Sequence, residues 1–316
     1  MLANRYLALM RYPFAIVRLS PLHFQHNPRI TNDDPSEAFH RPQALGNNHK
    51  KVMTKIAEEL FDEAKARLRR IEAAHGIRIL YACEAGSRSW GFPSPTSDYD
   101  IRFIYVSPLK SYLRLTPMPD TITLPQDELW DIQGWDLRKC LHLLKKGNVS
   151  VIQWLYSPII YRNHPLFLAE LRKLLDYGSP LPRLYWAYRS MAQSHISNYL
   201  MGHETIAYKR FLYIVQGLLA MNWVAERRTM PPVVFEQLVE GMVTDENLRT
   251  EIETLLNIQR RDGHEGEVGP KQLFPAVLAF IENTLVETQP PMDDKTEVPS
   301  DVLDEFFIKW LGVPGL

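Results

Sequence analysis

Residues 85–101 read Ala85-Gly86-Ser87-Arg88-Ser89-Trp90-Gly91-Phe92-Pro93-Ser94-Pro95-Thr96-Ser97-Asp98-Tyr99-Asp100-Ile101. Just before them, Ile77-Arg78-Ile79-Leu80-Tyr81-Ala82-Cys83 has the composition of a buried strand. The strand runs into Gly86-Ser87, where a glycine lets the backbone approach a ligand and a serine adds a hydroxyl and an amide. A turn of this kind opening a helix suits an anion. A ten-residue spacer, Arg88 to Ser97, separates Ser87 from Asp98 and Asp100, and the segment Tyr99 to Val106 alternates with period two, as a strand does. Asp98, Asp100 and Arg102 then share one face, and Tyr99, Ile101 and Phe103 share the other. Carboxylates side by side repel, and a hard cation between them relieves the repulsion. A phosphate-cradling turn beside a carboxylate pair outlines a metal-assisted phosphoryl-transfer site.

Working outward, Ile56, Leu60, Phe61, Ala64, Leu68 and Ile71 recur at helical spacing over 53–75. Leu129 to Gln133 reads as a third strand. Asp136 then stands where a helix N-cap belongs, before a helix to about Lys146. Beyond Asn148 helical patterns dominate, near 149–156, 165–176, 182–201, 204–227, 232–241, 245–260, 271–287 and 300–311. The expected fold class is α+β. A short mixed sheet with flanking helices over 53–160 is followed by an all-helical region over 161–316.

Composition excludes some classes. The chain has 316 residues, 45% hydrophobic and 23% charged, which is ordinary globular usage and rules out a disordered or collagen-like chain. No run of about 18 apolar residues marks a membrane span. With 36 Lys+Arg against 37 Asp+Glu, no global basic footprint for nucleic acid exists. Cys83 and Cys140 are too few for a disulfide framework, which points to a reducing, cytoplasmic compartment. Residues 1–52 differ from the rest. Seven bases against three acids and five prolines read as a disordered or spurious N-terminal extension, although a transit peptide has a similar look. Met53 would make a natural start.

The spacing of Ala85-Gly86-Ser87 and Asp98-Tyr99-Asp100 resembles the nucleotidyltransferase superfamily of DNA polymerase beta. Longer strings resemble its RNA-ligase-associated, RNA-repair-pathway branch. They are Tyr81 to Gly91, Ser97 to Tyr105, Gly134-Trp135-Asp136-Leu137-Arg138-Lys139 and Trp154-Leu155-Tyr156-Ser157-Pro158-Ile159-Ile160-Tyr161. The likeness covers most of 53 to about 230. It implies a polymerase-beta-type palm and transfer of a nucleoside monophosphate from a nucleoside triphosphate, with release of pyrophosphate.

The resemblance also implies roles. Gly86 and Ser87 would hold phosphates. Asp98 and Asp100 would bind Mg²⁺, with Mn²⁺ as the alternative cation. Asp131 would be the third acid, and Asp136 is its rival, read first as a cap. Arg88 could reach a phosphate or pair with Glu84, and Arg102 could neutralise the carboxylates. Lys209 and Tyr213 lie at i, i+4 on one helix, where related sequences carry Lys, Tyr and Arg, and the resemblance makes them nucleotide contacts, Lys209 to a phosphate, with a solvated basic face as the alternative. Gln216 stands at the arginine position. The acceptor, an RNA end or a protein hydroxyl, stays open, as does association with an RNA-repair ligase. A non-catalytic nucleotide- or RNA-binding module and an antitoxin-like modification of a partner protein are the competing readings.

Overall fold

Helix α1 (Glu58–His75) buries Ala64, Leu68 and Ile71, spaced by four and three residues, against one face of a sheet. The computed structural model describes residues 58–125, 129–261, 267–291 and 297–312, all within the unit His49–Leu316. The expectations for residues 1–52 lie outside the described residues. After α1 come β1 (Arg78–Glu84), the one-turn helix α2 (Gly86–Trp90), β2 (Tyr99–Val106), α3 (Leu109–Tyr112), β3 (Thr121–Thr123) and β4 (Trp130–Asp136). Then follow α4 (Leu137–Lys145), α5 (Val149–Leu155) and β5 (Ile160–Asn163).

The five strands form one sheet in the order β3-β4-β2-β1-β5. β1 is antiparallel to both β2 and β5, and β3 is antiparallel to β4. β2 and β4 are parallel. A parallel pair needs a crossover rather than a tight turn, and residues 107–129 supply it. β1 is buried at every position but its first, as a central strand covered on both faces should be. Tyr99, Ile101, Phe103, Trp130 and Ile132 pack toward α1. On the other face of β2, Asp100 and Arg102 are followed by Ile104 and Val106, which enter a second core. That face is half site and half core.

The second core continues into α6 (Phe167–Lys173), α7 (Leu181–His195) with a π turn at Ile196–Leu200, and β6 (Thr205–Ala207). Next are α8 (Tyr208–Arg227), α9 (Phe235–Met242), α10 (Glu246–Arg261), β7 (Val268–Pro270), α11 (Pro275–Glu287) and α12 (Ser300–Leu311). Helix α8 is its axis. Phe211, Leu212, Ile214, Val215, Leu218, Leu219 and Met221 are all fully buried, so this helix is apolar on nearly every side. Among the described residues, no helix is long and apolar enough to cross a membrane.

The α+β reading matches this architecture, and the differences are local. The third strand is longer than expected and runs to Asp136. Gln133-Gly134-Trp135 has weak strand character by itself, and pairing with Arg102, Phe103 and Ile104 makes it one. Thr205-Ile206-Ala207, expected to be helical, pairs instead with Val268–Pro270, a partner some 60 residues away that no local pattern reveals. Asp136 does cap α4, accepting from Arg138 N–H at 2.9 Å, and it also accepts from the Tyr112 hydroxyl at 2.6 Å. It ends β4 five residues beyond Asp131, roughly 16 Å along the strand.

Gly134 lies directly under the Phe103 ring. A β-carbon there would meet Phe103 Cε2 at 2.1 Å. Gly134→Ala should therefore cost about 1–3 kcal/mol by overpacking, read as a lowered midpoint of urea denaturation with an unchanged slope.

Candidate active site

Parallel pairing of β2 with β4 sets Asp100 opposite Asp131. Equal register places both side chains on the same face at neighbouring positions. Arg102, two residues on, reaches back between them. One nitrogen of its guanidinium donates to Asp100 Oδ1 at 2.9 Å and to Asp131 Oδ2 at 2.7 Å, while the other donates to the Asp131 carbonyl at 2.8 Å. Arg102 is thus the internal countercharge of the acid pair. Asp98 lies on the same edge, just before β2. The Asp100 carboxyl is pushed up to about 6 by burial, which Arg102 opposes and Asp98 and Asp131 reinforce.

The turn after β1 presses against this carboxylate. Gly86 has φ +58°, and a β-carbon on it would fall 1.9 Å from Asp100 Oδ2. Only glycine fits, for its conformation and for the space. The Ala85 N–H donates to the Asp100 carbonyl at 2.8 Å, which ties the turn to β2. Ser87 Oγ bonds to Ser97 Oγ at 3.3 Å, and Ser97 Oγ also accepts from Ser94 N–H at 2.9 Å. Arg88 donates to the carbonyls of Asp98 and Ser97 at 3.0 and 2.5 Å and lies 3.9 Å over the Tyr99 ring. Tyr99 in turn stacks on Trp130, its register partner, at 5.0 Å. Arg88 therefore fixes the chain that delivers Asp98.

Among the described residues, no three His, Cys, Asp or Glu side chains close into a metal cage. Mg²⁺ does not ask for one, since it is held by one or two carboxylates with waters and substrate phosphates. Half-buried carboxylates at neighbouring positions beside a close-approaching backbone turn fit that requirement.

A second wall comes from α7 and α8. Tyr213 lies against Trp90, ring centroids 5.4 Å apart, and against Phe92 at 6.2 Å. Burial raises its hydroxyl pKa, Arg210 opposes this, and Asp100 and Asp98 add to it. His195 and Tyr199 flank it, and Arg210 lies 4.2 Å over Tyr199 and 5.7 Å from the Tyr213 ring. Lys209 lines a recess together with Tyr199 and Arg210. Gln216 is buried within α8.

Glu84 was not singled out by sequence reasoning, although an acid ending an apolar strand is a readable oddity. It is fully buried. Its Oε1 accepts from Asp100 N–H at 2.9 Å, and its Oε2 accepts from the Tyr161 hydroxyl at 2.6 Å. Burial pushes its carboxyl up to about 7, with Asp100 adding and Tyr161, the Asp100 N–H and Arg88 opposing. From about pH 4.5 to about 7 the native protein keeps a proton that the unfolded chain has released. The associated stability is complete below that window and is lost as pH rises through it. In metal-free protein, Glu84→Gln should flatten the fall of Tm between pH 5 and pH 7.5 while keeping the hydrogen bond to Asp100 N–H. A Tm profile as steep as wild type would refute the assignment.

Residues 61–309 match the model of the RNA repair pathway DNA polymerase beta family. A curated relative is the uncharacterized protein YcgL of Bacillus subtilis (strain 168), 40% identical over 206 residues, which are 65% of this chain and 77% of that protein. A nucleotidyltransferase-like protein from Exiguobacterium sibiricum 255-15, known from a crystal structure, aligns over 70% of this chain and 74% of its own. Its identity is 14% and its TM-score 0.31, too low to carry weight. With most of its length matched and the carboxylates of β2 and β4 set side by side, the chain belongs to the RNA repair pathway DNA polymerase beta family.

Proposed function

We propose that the protein is a Mg²⁺-dependent nucleotidyltransferase that moves a nucleoside monophosphate from a nucleoside triphosphate to an acceptor hydroxyl. The observation that carries this is the convergence of three acids and one turn: Asp98 just before β2, Asp100 on it, Asp131 in register on β4, and Gly86 packed against the Asp100 carboxylate. Family membership supports nucleotidyl transfer as the general chemistry. An RNA end as acceptor, and work beside an RNA-repair ligase, are the finer parts of the proposal. Buried, unpaired Cys83 and Cys140 accord with a reducing compartment.

In this reading the acceptor oxygen attacks the α-phosphorus. A new P–O bond forms as the bond to the bridging oxygen of the β-phosphate breaks, and pyrophosphate leaves. Gly86 and Ser87 hold the β- and γ-phosphates. Asp131 orients the acceptor hydroxyl and takes up its proton. Asp98, Asp100 and Asp131 would hold Mg²⁺, which when bound neutralises charge on the phosphoryl oxygens. Arg102 keeps Asp100 and Asp131 from splaying apart before substrate arrives. In-line displacement needs mainly positioning and charge neutralisation, and these residues supply both.

One observation favours a second reading, binding without transfer: the Arg102 guanidinium already satisfies two of the acids. α-Labelled nucleoside triphosphates, offered one at a time with Mg²⁺ and a crude RNA-plus-protein extract, separate the two. The expected outcome is label in an RNA species, reduced by at least about 10³-fold in Asp98→Ala/Asp100→Ala, as befits loss of charge stabilisation at phosphorus. Label in a protein band would redirect the acceptor assignment. Nucleotide binding without transfer of any of the four would establish the second reading.

A further inference from the structure

The guanidinium of Arg102 has two terminal nitrogens with two N–H groups each, and all four of these meet an acceptor. One nitrogen donates to Asp100 Oδ1 at 2.9 Å and to Asp131 Oδ2 at 2.7 Å. The other donates to the carbonyls of Ile101 at 3.1 Å and Asp131 at 2.8 Å. The bridge is partly withdrawn from water, with side chains 15% exposed for Arg102, 20% for Asp100 and 29% for Asp131. One positive nitrogen thus joins two carboxylates of neighbouring strands and fills the place in their charge balance that a hard cation would otherwise take. Arg88, the other arginine of this corner, turns its donors to the Ser97 and Asp98 carbonyls.

We infer that Arg102 makes cation uptake depend on the triphosphate: the acids accept the ion together with the nucleotide and resist it alone. The inference rests on the transferase reading of the acid site. Asp100 Oδ1 and Asp131 Oδ2 belong to the carboxylates that would hold Mg²⁺, and Arg102 already engages both. For these oxygens to serve a cation, the guanidinium must release them. A guanidinium released at this depth is a poorly solvated charge stripped of its partners, which is costly. A divalent ion beside it adds like-charge repulsion. A triphosphate removes both obstacles. Its oxygens are charged acceptors that a planar guanidinium can pair with two at a time, and its negative charge offsets the added positive charge. What the triphosphate does for the cation, the cation does for the triphosphate, since coupling of binding is reciprocal. Arginine stays protonated at every working pH, so its part in this does not fade as pH rises. Without it, Asp98, Asp100 and Asp131 would be an anionic cluster that draws divalent ions by itself.

The test uses Mn²⁺ as the probe on the full chain without nucleotide, the free ion being counted by its paramagnetic resonance. Arg102→Met, similar in length and uncharged, should bind Mn²⁺ about tenfold tighter than wild type, a coupling of ordinary size. Arg102→Lys, which keeps the charge, should stay within about threefold of wild type. The preformed Mn²⁺ complex of an α,β-methylene triphosphate, followed by calorimetry, should bind Arg102→Met no tighter than wild type, because the arginine then has phosphate oxygens to meet. If the methionine variant fails to fold, which circular dichroism reports, Arg102→Gln keeps hydrogen bonding without charge and should show the same tightening toward bare Mn²⁺. Bare-ion affinity unchanged in the uncharged variants overturns the proposal. A lowered affinity also overturns it, since Arg102 would then serve only to hold the acids in place. An equal gain for the bare ion and for the complex removes the dependence on triphosphate and overturns it as well. The acid-site reading fails on a different result: affinity for the Mn²⁺–triphosphate complex that survives Asp98→Ala/Asp100→Ala would sink the transferase, whatever Arg102 does.

Discussion

Both polar ends of the Asp100 peptide are engaged from β1. Its N–H is held by the Glu84 carboxylate and its carbonyl by the Ala85 N–H. This clamp aligns the end of β1, the Gly86-Ser87 turn and the start of β2 as one rigid piece. Tyr161 on β5 grips the other oxygen of Glu84, and the Ser157 hydroxyl holds its carbonyl at 2.7 Å, so the clamp extends to the far edge of the sheet. Parallel pairing with β4 then fixes Asp131 relative to the clamp. A buried, hydrogen-bonded network of this sort is stabilising when every member is satisfied and costly when one is removed. The geometry of Asp98, Asp100 and Asp131 thus depends on a carboxylate that lies beneath them.

Electrostatically, the site is held in tension. Three aspartates and one buried glutamate crowd the ends of β1, β2 and β4, with Arg102 as their close countercharge and Arg88 turned toward main-chain carbonyls. Burial raises the proton affinity of Asp100 and Glu84, so each resists ionisation until positive charge arrives. That resistance would suit the proposed capture of a cation together with a triphosphate, since the gain from neutralisation is greater where water is excluded.

Much of this was legible in the linear chain, for definable reasons. Gly86, Ser87, Asp98 and Asp100 lie within 15 residues of one another, so turn chemistry and strand parity place them without knowledge of the fold. Asp131 needed one more step, the family likeness, because nothing local says that the strand around it runs beside β2. The helices beyond residue 148 were readable from their period, since apolar stripes at helical spacing survive any arrangement of the bundle. Glu84 and Tyr161 were illegible as a pair: 77 residues separate them, and only the antiparallel pairing of β1 with β5 brings them together. Likewise, Arg88 satisfies carbonyls rather than the Glu84 carboxylate, a choice set by the path of residues 91–98.

The π turn at Ile196–Leu200 has a bearing on how this protein can change. Leu184, Tyr185, Tyr188 and Ala192 anchor the preceding helix in the core, and the single extra residue of the π turn comes after them. Losing that residue would restore regular helix and turn the last residues of this helix by about a hundred degrees, carrying Tyr199 away from Arg210 while Leu184, Tyr185, Tyr188 and Ala192 stay seated and the buried Leu200 has to be reseated. The turn is therefore an indexing joint. A lineage could redirect its outer wall toward a different ligand by one deletion, while the acids and the sheet that holds them remain as they are.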